Sequence, residues 1–283
     1  MSWIHWLPCS AALEGNFTCL RKLEGNFACL KELVLKDSLG LESLQLCNCT
    51  ALEGLTIKDC ASLAALEGNF TCLRKLELQR NPSLKSVELR FCTALEELLI
   101  YECESLDLQE DLGSLRGLRY LHLFDCPGLS HYLGRMSSQR RYEVCAGLER
   151  LRTDDYSFLT TSFCKCLTSL QRLEFTDPEG EVTRLTDEQE SALQRLTSLQ
   201  ELRFEYCRNL ADLPVGLHSL PSLRRLEIIH CWNITRLPEK GLPPSLEELE
   251  IASTRSTKLS DECRMQATTR SKPRVKIHGT YVN

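Results

Sequence analysis

Thiols are the most abundant reactive groups in this sequence: sixteen cysteines stand among 283 residues. In a short secreted chain that number would suggest a disulfide framework. Cys164-x-Cys166 could open a metal site, but zinc needs four ligands, and no second pair or histidine cluster accompanies it. The six histidines are scattered, and none forms a Cys–His or Ser–His arrangement. G-x-x-x-x-G-K-[ST], H-E-x-x-H, G-x-S-x-G and the kinase signature set do not occur. No catalytic, cofactor-binding or metal-ligating residue is assigned, and the expectation is a chain that is not an enzyme and needs no cofactor.

The chemistry the residues do offer is recognition. Leu99, Tyr101, Tyr120, His122 and Phe124 gather apolar and aromatic surface within a short stretch, and Arg150, Arg152, Arg172 and Glu205 follow. Aromatic anchors with arginine at their edge are what a protein-binding hot spot uses. The plainer reading is that cross-strand aromatics only stabilise a sheet. Either reading depends on the elements that bring these residues side by side.

Those elements repeat. The pattern L-x-x-L-x-[LIF]-x-x-[CNST] begins at Leu30, Leu52, Leu73, Leu95, Leu118, Leu148, Leu170, Leu199, Leu223 and Leu246, in steps of 22, 21, 22, 23, 30, 22, 29, 24 and 23 residues. The L-x-L portion turns two apolar side chains one way and the intervening ones the other, as a strand requires. One such strand cannot bury its apolar face alone, but stacked coils share a continuous core. The fold expected is an α/β repeat solenoid, a leucine-rich-repeat horseshoe or arc with a parallel concave sheet and short irregular, β or helical convex segments. Repeat positions three, five and seven face outward from the sheet, which makes neighbours of the residues named above.

Two further matches, at Leu41 and Leu84, fall 11 residues from their neighbours, too few for a whole coil. They read as return halves, short convex strands; the alternative places them on the concave sheet. AALEGNFTCLRKLE occurs at 11–24 and again, identically, at 64–77, and LEGNFACLKE echoes it at 23–32. Because that echo is offset by only ten residues, 1–29 is expected to be an irregular end. The repeats then span 30–259, and a closing helix from Ser260 with an edge strand at 275–277 occupies 260–283. Thr186-x-x-Gln189 opens an amphipathic helix with a capping box. An insertion over 129–147 carries Tyr132, Arg135, Arg140, Arg141 and Tyr142 as a solvated or partner-binding loop.

The repeat also accounts for the cysteines. Position nine is Cys60, Cys103, Cys126, Cys207 and Cys231, with Asn81, Ser38 and Thr254 elsewhere, and Cys49 and Cys92 hold the same place in the half-repeats. A small side chain with a donor can bridge backbone groups left over where the chain turns. These thiols are expected to be buried, reduced and structural, leaving few reactive ones in the native protein, with disulfides between coils as the alternative. Acidic residues at position eight, among them Asp59, Asp155 and Asp177, read as a solvated rim.

A formal charge of −5 argues against nucleic acid as a partner, and 26% charged residues interrupt every apolar run, so no membrane span is expected. MSWIHWLPCSAAL lacks a basic start and a long apolar run, which makes it a poor signal peptide and the cytoplasm, or the nucleus, the default compartment. Four N-x-[ST] sequons, at Asn16, Asn48, Asn69 and Asn233, are then only tripeptides.

The repeat dialect carries a resemblance. LQELRFEYCRNLADLPVGLHSLPSLRRLEIIHCWNITRLPEKGLPPSLEELEI, with L-x-x-L-x-I-x-x-C followed by L-x-x-L-P, resembles the C-terminal repeats of plant nucleotide-binding leucine-rich-repeat disease-resistance proteins. DECRMQATTRSKPRVKIHGTYVN is similar to the C-terminus of cereal members, and the resemblance covers roughly 30–283. It implies an intracellular receptor region that recognises a pathogen effector or host protein and restrains a nucleotide-binding switch domain, on the same or another chain. The sequence contains no coiled-coil or nucleotide-binding domain, so nucleotide binding and cell-death signalling do not carry over. A cytosolic leucine-rich-repeat scaffold or inhibitor unrelated to immunity is the alternative.

Overall fold

The computed structural model describes residues 12–17, 19–47, 49–107, 115–128, 146–269 and 273–282. The chain divides into two compact units, Met1–Leu148 and Glu149–Asn283. Tyr132, Arg135, Arg140, Arg141 and Tyr142 of the expected insertion lie outside the described residues.

In the first unit the alternation of leucines builds two parallel sheets. Ala12–Gly15, Glu32–Lys36, Gly54–Lys58, Lys75–Gln79, Glu97–Tyr101 and Tyr120–Phe124 pair in that order as the main sheet. Lys22–Asn26, Ser43–Cys47, Ala65–Gly68 and Ser86–Val87 form a second sheet on the return side. The half-repeats at Leu41 and Leu84 thus supply return strands, the first of the two readings. Leu33, Leu35, Leu55, Ile57, Leu76 and Leu78 from the main sheet meet Leu23, Leu44, Leu46 and Leu66 from the second, all essentially sealed from water. Each such leucine contributes about 1.5–3 kcal/mol by burial.

Where residues of the expected irregular end, 1–29, are described, Ala12–Gly15 is a strand of the main sheet and Lys22–Asn26 a strand of the second. A ten-residue offset is less than a coil, but it is the step of a half-coil. Strands start at residues 12, 22, 32, 43, 54, 65, 75, 86 and 97, alternating between sheets every ten or eleven residues. The repeats therefore begin upstream of Leu30.

In the second unit Arg150–Thr153, Arg172–Thr176, Glu201–Glu205, Arg225–Ile229, Glu248–Ala252 and Arg274–Ile277 form a parallel sheet, and Thr280–Tyr281 closes it antiparallel. Longer steps let the return segments coil. Ser162–Cys166 and Asp187–Leu193 are α-helical, and Tyr156–Thr160 and Val215–Ser219 are 3-10 turns. The capping box forms as expected: Thr186 Oγ1 accepts from Gln189 N, and Gln189 Oε1 accepts from Thr186 N. Aromatic rings fill the wider interior: Tyr156 stacks on Phe175 at 4.3 Å, and Phe175 on Phe204 at 5.7 Å. The closing helix runs Thr257–Thr269, three residues ahead of the expected start, because Ser256 Oγ, not Ser260, caps it by accepting from Leu259 N. The strand expected at 275–277 is not the edge, since Thr280–Tyr281 pairs with it.

Both units share one turn. The residue after each of nine main-sheet strands has a left-handed backbone: Asp37, Asp59, Arg80, Glu102, Asp125, Tyr206, His230, Ser253 and His278, with φ between 49° and 56°. This conformation swings the chain out of the strand direction, and from Ser38 to Cys231 the next residue, at position nine, is turned into the core. Cys103 Sγ donates to Tyr101 O at 3.3 Å, and Cys231 Sγ to Ile229 O at 3.3 Å and Phe204 O at 3.4 Å. Asn81 donates to Ile57 O at 3.0 Å and accepts from Cys60 N at 3.1 Å. Burial pushes the thiols of Cys60 and Cys103 above their ordinary values, and that of Cys49 up to about 11, so these sulfurs are poor nucleophiles.

The expectation of few reactive thiols does not hold for the whole chain. Cys19, Cys29, Cys47 and Cys72 are exposed, because they occupy outward positions of half-repeats and not the ladder. A thiol titration of native protein will label Cys47 and Cys72 rapidly, while Cys60, Cys103, Cys207 and Cys231 react only after denaturation; mass mapping of the labelled sites checks this. Asn81→Ala strands a buried amide and a buried carbonyl, and should cost about 2–3 kcal/mol in urea unfolding. Asn81→Cys, which restores a weaker donor, should cost less.

Candidate functional site

The outward positions of the main sheets are where the framework leaves side chains to do something else. In the first unit Tyr120, His122 and Phe124 lie in register beside Glu97, Leu99 and Tyr101. Strands about 4.8 Å apart bring these side chains into contact. Tyr101 and His122 meet edge to face at 4.4 Å, with the phenol oxygen 2.9 Å from His122 Nδ1. Tyr120 lies 6.3 Å from His122. The cluster expected to be exposed is only half so: Leu99 and His122 retain 8% and 5% of their surface. Neighbouring rungs cover them, because both hold the central outward position of their strand. Tyr101, Tyr120 and Phe124 remain half-exposed on top of them.

Arg150, Arg152, Arg172 and Glu205 belong to the second unit, where the outward positions form a lattice of mixed charge. Across successive strands position five reads Arg152, Glu174, Arg203, Glu227, Glu250, Lys276, and position three reads Arg150, Arg172, Glu201, Arg225, Glu248, Arg274. Arg152 reaches Glu174 at 2.8 Å and Glu205 at 2.9 Å, and Arg172 reaches Glu201 at 2.9 Å. Arg203 contacts Glu205 at 2.5 Å and Glu227 at 2.7 Å. Arg225 bridges Glu227 at 2.6 Å and Glu250 at 3.1 Å, so two acids of adjacent strands share one cation. Arg152, Arg172 and Glu205 are therefore engaged within the sheet, and Arg150 is exposed at its margin.

Burial divides the titration of these acids. It pushes the Glu174 carboxyl above the ordinary range, more strongly than Arg152 and Arg203 pull it down. For Glu227 burial acts in the same direction, but the bond from Arg203 and the charge of Arg225 outweigh it and hold the carboxyl below the ordinary range. Arg152 Nε, Arg203 Nε and Glu174 Oε1 are buried without a directed hydrogen bond, so charge proximity holds the centre of the lattice.

Glu174, Arg203 and Glu227 were not among the expected site residues, although a signal was present: their signs alternate at one repeat position, and opposite charges on adjacent strands attract. Of the acids expected to form a solvated rim, Asp37 and Asp125 are exposed, but three others hold contacts within the chain. Asp177 is buried and accepts from the backbone of Gly180, Glu181 and Val182 at 2.9, 3.0 and 2.9 Å. Asp155 caps the Tyr156–Thr160 turn, and Asp59 takes a bidentate pair from Arg80. Cys164 is buried in Ser162–Cys166, and Cys166 Sγ donates to Ser162 O at 3.4 Å. Among the described residues no group of three or more His, Cys, Asp or Glu could hold a metal ion, and no helix is long and apolar enough to cross a membrane.

The coils, the position-nine ladder and the in-register parallel sheets decide the class. The chain is a leucine-rich-repeat region. No family model and no curated protein matches it. Among solved structures, an internalin of Listeria monocytogenes is 17% identical, with 94% of this chain and 84% of that one covered and a TM-score of 0.44. A leucine-rich-repeat protein of Leptospira interrogans is also 17% identical, with 93% and 95% covered and a TM-score of 0.42. TLR13 in its complex with ssRNA13 is 17% identical over 88% of this chain and 42% of that one, with a TM-score of 0.45.

The lattice has a pH signature. Glu227 has a folded-state pKa below its unfolded value of about 4.3, so the stability it contributes is present above that value and lost as pH falls through the folded value. Glu227→Gln should cost about 2 kcal/mol at neutral pH, and the difference from the native protein should shrink below about pH 4. Urea midpoints across the acid range measure it.

Proposed function

We propose that the chain is a non-catalytic protein-recognition module, the ligand-sensing and autoinhibitory repeat region of a plant intracellular immune receptor or a relative of one. The observation that carries the recognition reading is the half-exposed row of Tyr101, Tyr120 and Phe124, seated on the buried pair Leu99 and His122. Rings held by their neighbours lose little conformational freedom on binding, which favours them as anchors. In the second unit Arg150 offers a cation at the sheet margin, while Arg152, Arg172 and Glu205 contribute a rigid, charge-matched surface. Such a surface discriminates partners by the cost of breaking its internal pairs.

The immune reading is supported by the repeat dialect: Cys207 and Cys231 at position nine, followed by Leu213-Pro214 and Leu237-Pro238. Its partners are a pathogen effector or a modified host protein on one side and a nucleotide-binding switch domain on the other. It acts in the cytoplasm or the nucleus. A scaffold or inhibitor unrelated to immunity would use the same surface without restraining a switch domain.

Tyr120→Ala with Phe124→Ala should weaken capture of a cognate cereal protein by tenfold or more, with the thermal midpoint nearly unchanged. Quantitative affinity capture from cereal leaf extract beside thermal unfolding checks it. Equal loss of capture and of stability would assign the rings a packing role only. Co-expression with a cereal nucleotide-binding switch domain separates the readings, since a scaffold would leave that domain's activity unchanged.

A further inference from the structure

We infer that the rim of the second unit, built on Tyr206, His230, Arg208, Trp232 and Arg255, is a docking surface for an acidic protein segment. It is distinct from the aromatic row of the first unit and does not depend on its role.

The five residues fill two equivalent positions in three successive coils. Tyr206, His230 and Ser253 directly precede Cys207, Cys231 and Thr254, and Arg208, Trp232 and Arg255 directly follow them. Every coil places its first position in the left-handed region, with φ of 56°, 55° and 53°. That conformation is uncommon for large side chains, and the same place in the first unit carries Asp37, Asp59, Arg80, Glu102 and Asp125. The change from mostly acids to an aromatic pair retains an unfavourable backbone for bulky side chains, which points to use of the rings.

Tyr206, with 41% of its surface exposed, lies parallel to His230 at 4.6 Å. Arg255 sits 4.4 Å and Arg208 5.6 Å from the ring centre of Trp232. One arginine comes from the coil before the tryptophan and one from the coil after, so two guanidinium groups lie over the indole. Arg152, Arg172, Arg203 and Arg225 on the sheet each hold a glutamate, whereas among the described residues Arg208 and Arg255 have no carboxylate partner. A guanidinium flat on an indole keeps its N–H edge outward and is ordered beforehand, which is the state that binds a carboxylate bidentately at low entropic cost.

Protein fits this surface better than nucleic acid does. Bases bind by stacking on open ring faces, and here two arginines already lie over Trp232 while His230 covers one face of Tyr206. Two cations would also neutralise few phosphates in a chain of net charge −5.

The test uses the full chain and a fluorescein-labelled oligoglutamate peptide, read by fluorescence anisotropy, with oligolysine and oligothymidylate as comparison probes. Oligoglutamate should bind, more weakly as salt rises, and Arg208→Gln with Arg255→Gln should weaken it about tenfold or more. Arg208→Lys with Arg255→Lys, which keeps the charge but not the planar stack, should recover only part of the affinity. Tyr120→Ala with Phe124→Ala should leave it unchanged. Should the double Gln variant lose its native thermal midpoint, Arg255→Gln alone gives the same reading with a smaller loss. Failure of oligoglutamate to bind, equal binding by the Gln variants, or oligothymidylate binding that the same substitutions abolish would overturn the inference.

Discussion

The structure depends on one backbone turn. Parallel strands from successive coils stay in register only if each coil ends its strand at the same point and leaves in the same direction. After nine of the strands a left-handed residue at position eight supplies the change of direction, whereas Asp155 has a φ of −92° and starts a 3-10 turn instead. A small buried donor at position nine ties off the carbonyls that the departing strand leaves behind. Asparagine reaches both a carbonyl and the neighbouring coil's amide, as Asn81 does, while cysteine makes the weaker bond and fills the space with a compact apolar sulfur. Burial raises the thiols of Cys49, Cys60 and Cys103 and keeps them protonated, so a composition rich in cysteine is compatible with an unreactive interior. The cysteines at outward positions are under no such constraint.

With the turn repeated, inward leucines, joined in the second unit by Tyr156, Phe175 and Phe204, specify the interior, and the outward positions are left for other contacts. The two units use them differently. In the first, rings of adjacent strands settle on one another, and two of the five members become foundation for the rest. In the second, opposite charges at equivalent positions neutralise one another along the sheet. The pairs are worth little individually where exposed, but the partly buried carboxylates of Glu174 and Glu227 tie their arginines more tightly. A surface of that kind is rigid and selective rather than adhesive.

Much of this was legible. The period, the inward leucines, the ladder and the capping box at Thr186 follow from patterns that hold at short range, where spacing and hydrogen-bonding capacity are sufficient. What escaped were properties set by neighbours in other coils. Asp59 looks like a rim charge in the chain, but folding gives it Arg80 of the next coil. Leu99 and His122 look as exposed as Tyr101, and only the adjacent strand covers them. Arg152 and Arg172 look available to a partner until the glutamates of the next strands are placed beside them.

The duplicated segment shows where the boundary lies. In both copies the sequence alone determines the strand, the half-coil step and the inward set, Leu20 and Leu23 in one and Leu73 and Leu76 in the other. It cannot determine the sheet. In the first copy Ala12–Gly15 lies in the main sheet and Lys22–Asn26 in the second; in the other copy Ala65–Gly68 lies in the second sheet and Lys75–Gln79 in the main one. The copies are 53 residues apart, five half-coils rather than a whole number of coils. Even their glutamates find different partners: Glu14 takes Lys36 on the main sheet, and Glu67 takes Gln45 on the second. Both sheets bury the same apolar side of a strand, so inward spacing carries no label for either. Only the tertiary structure, through pairing with strands already in place, decides which face of the solenoid each copy joins.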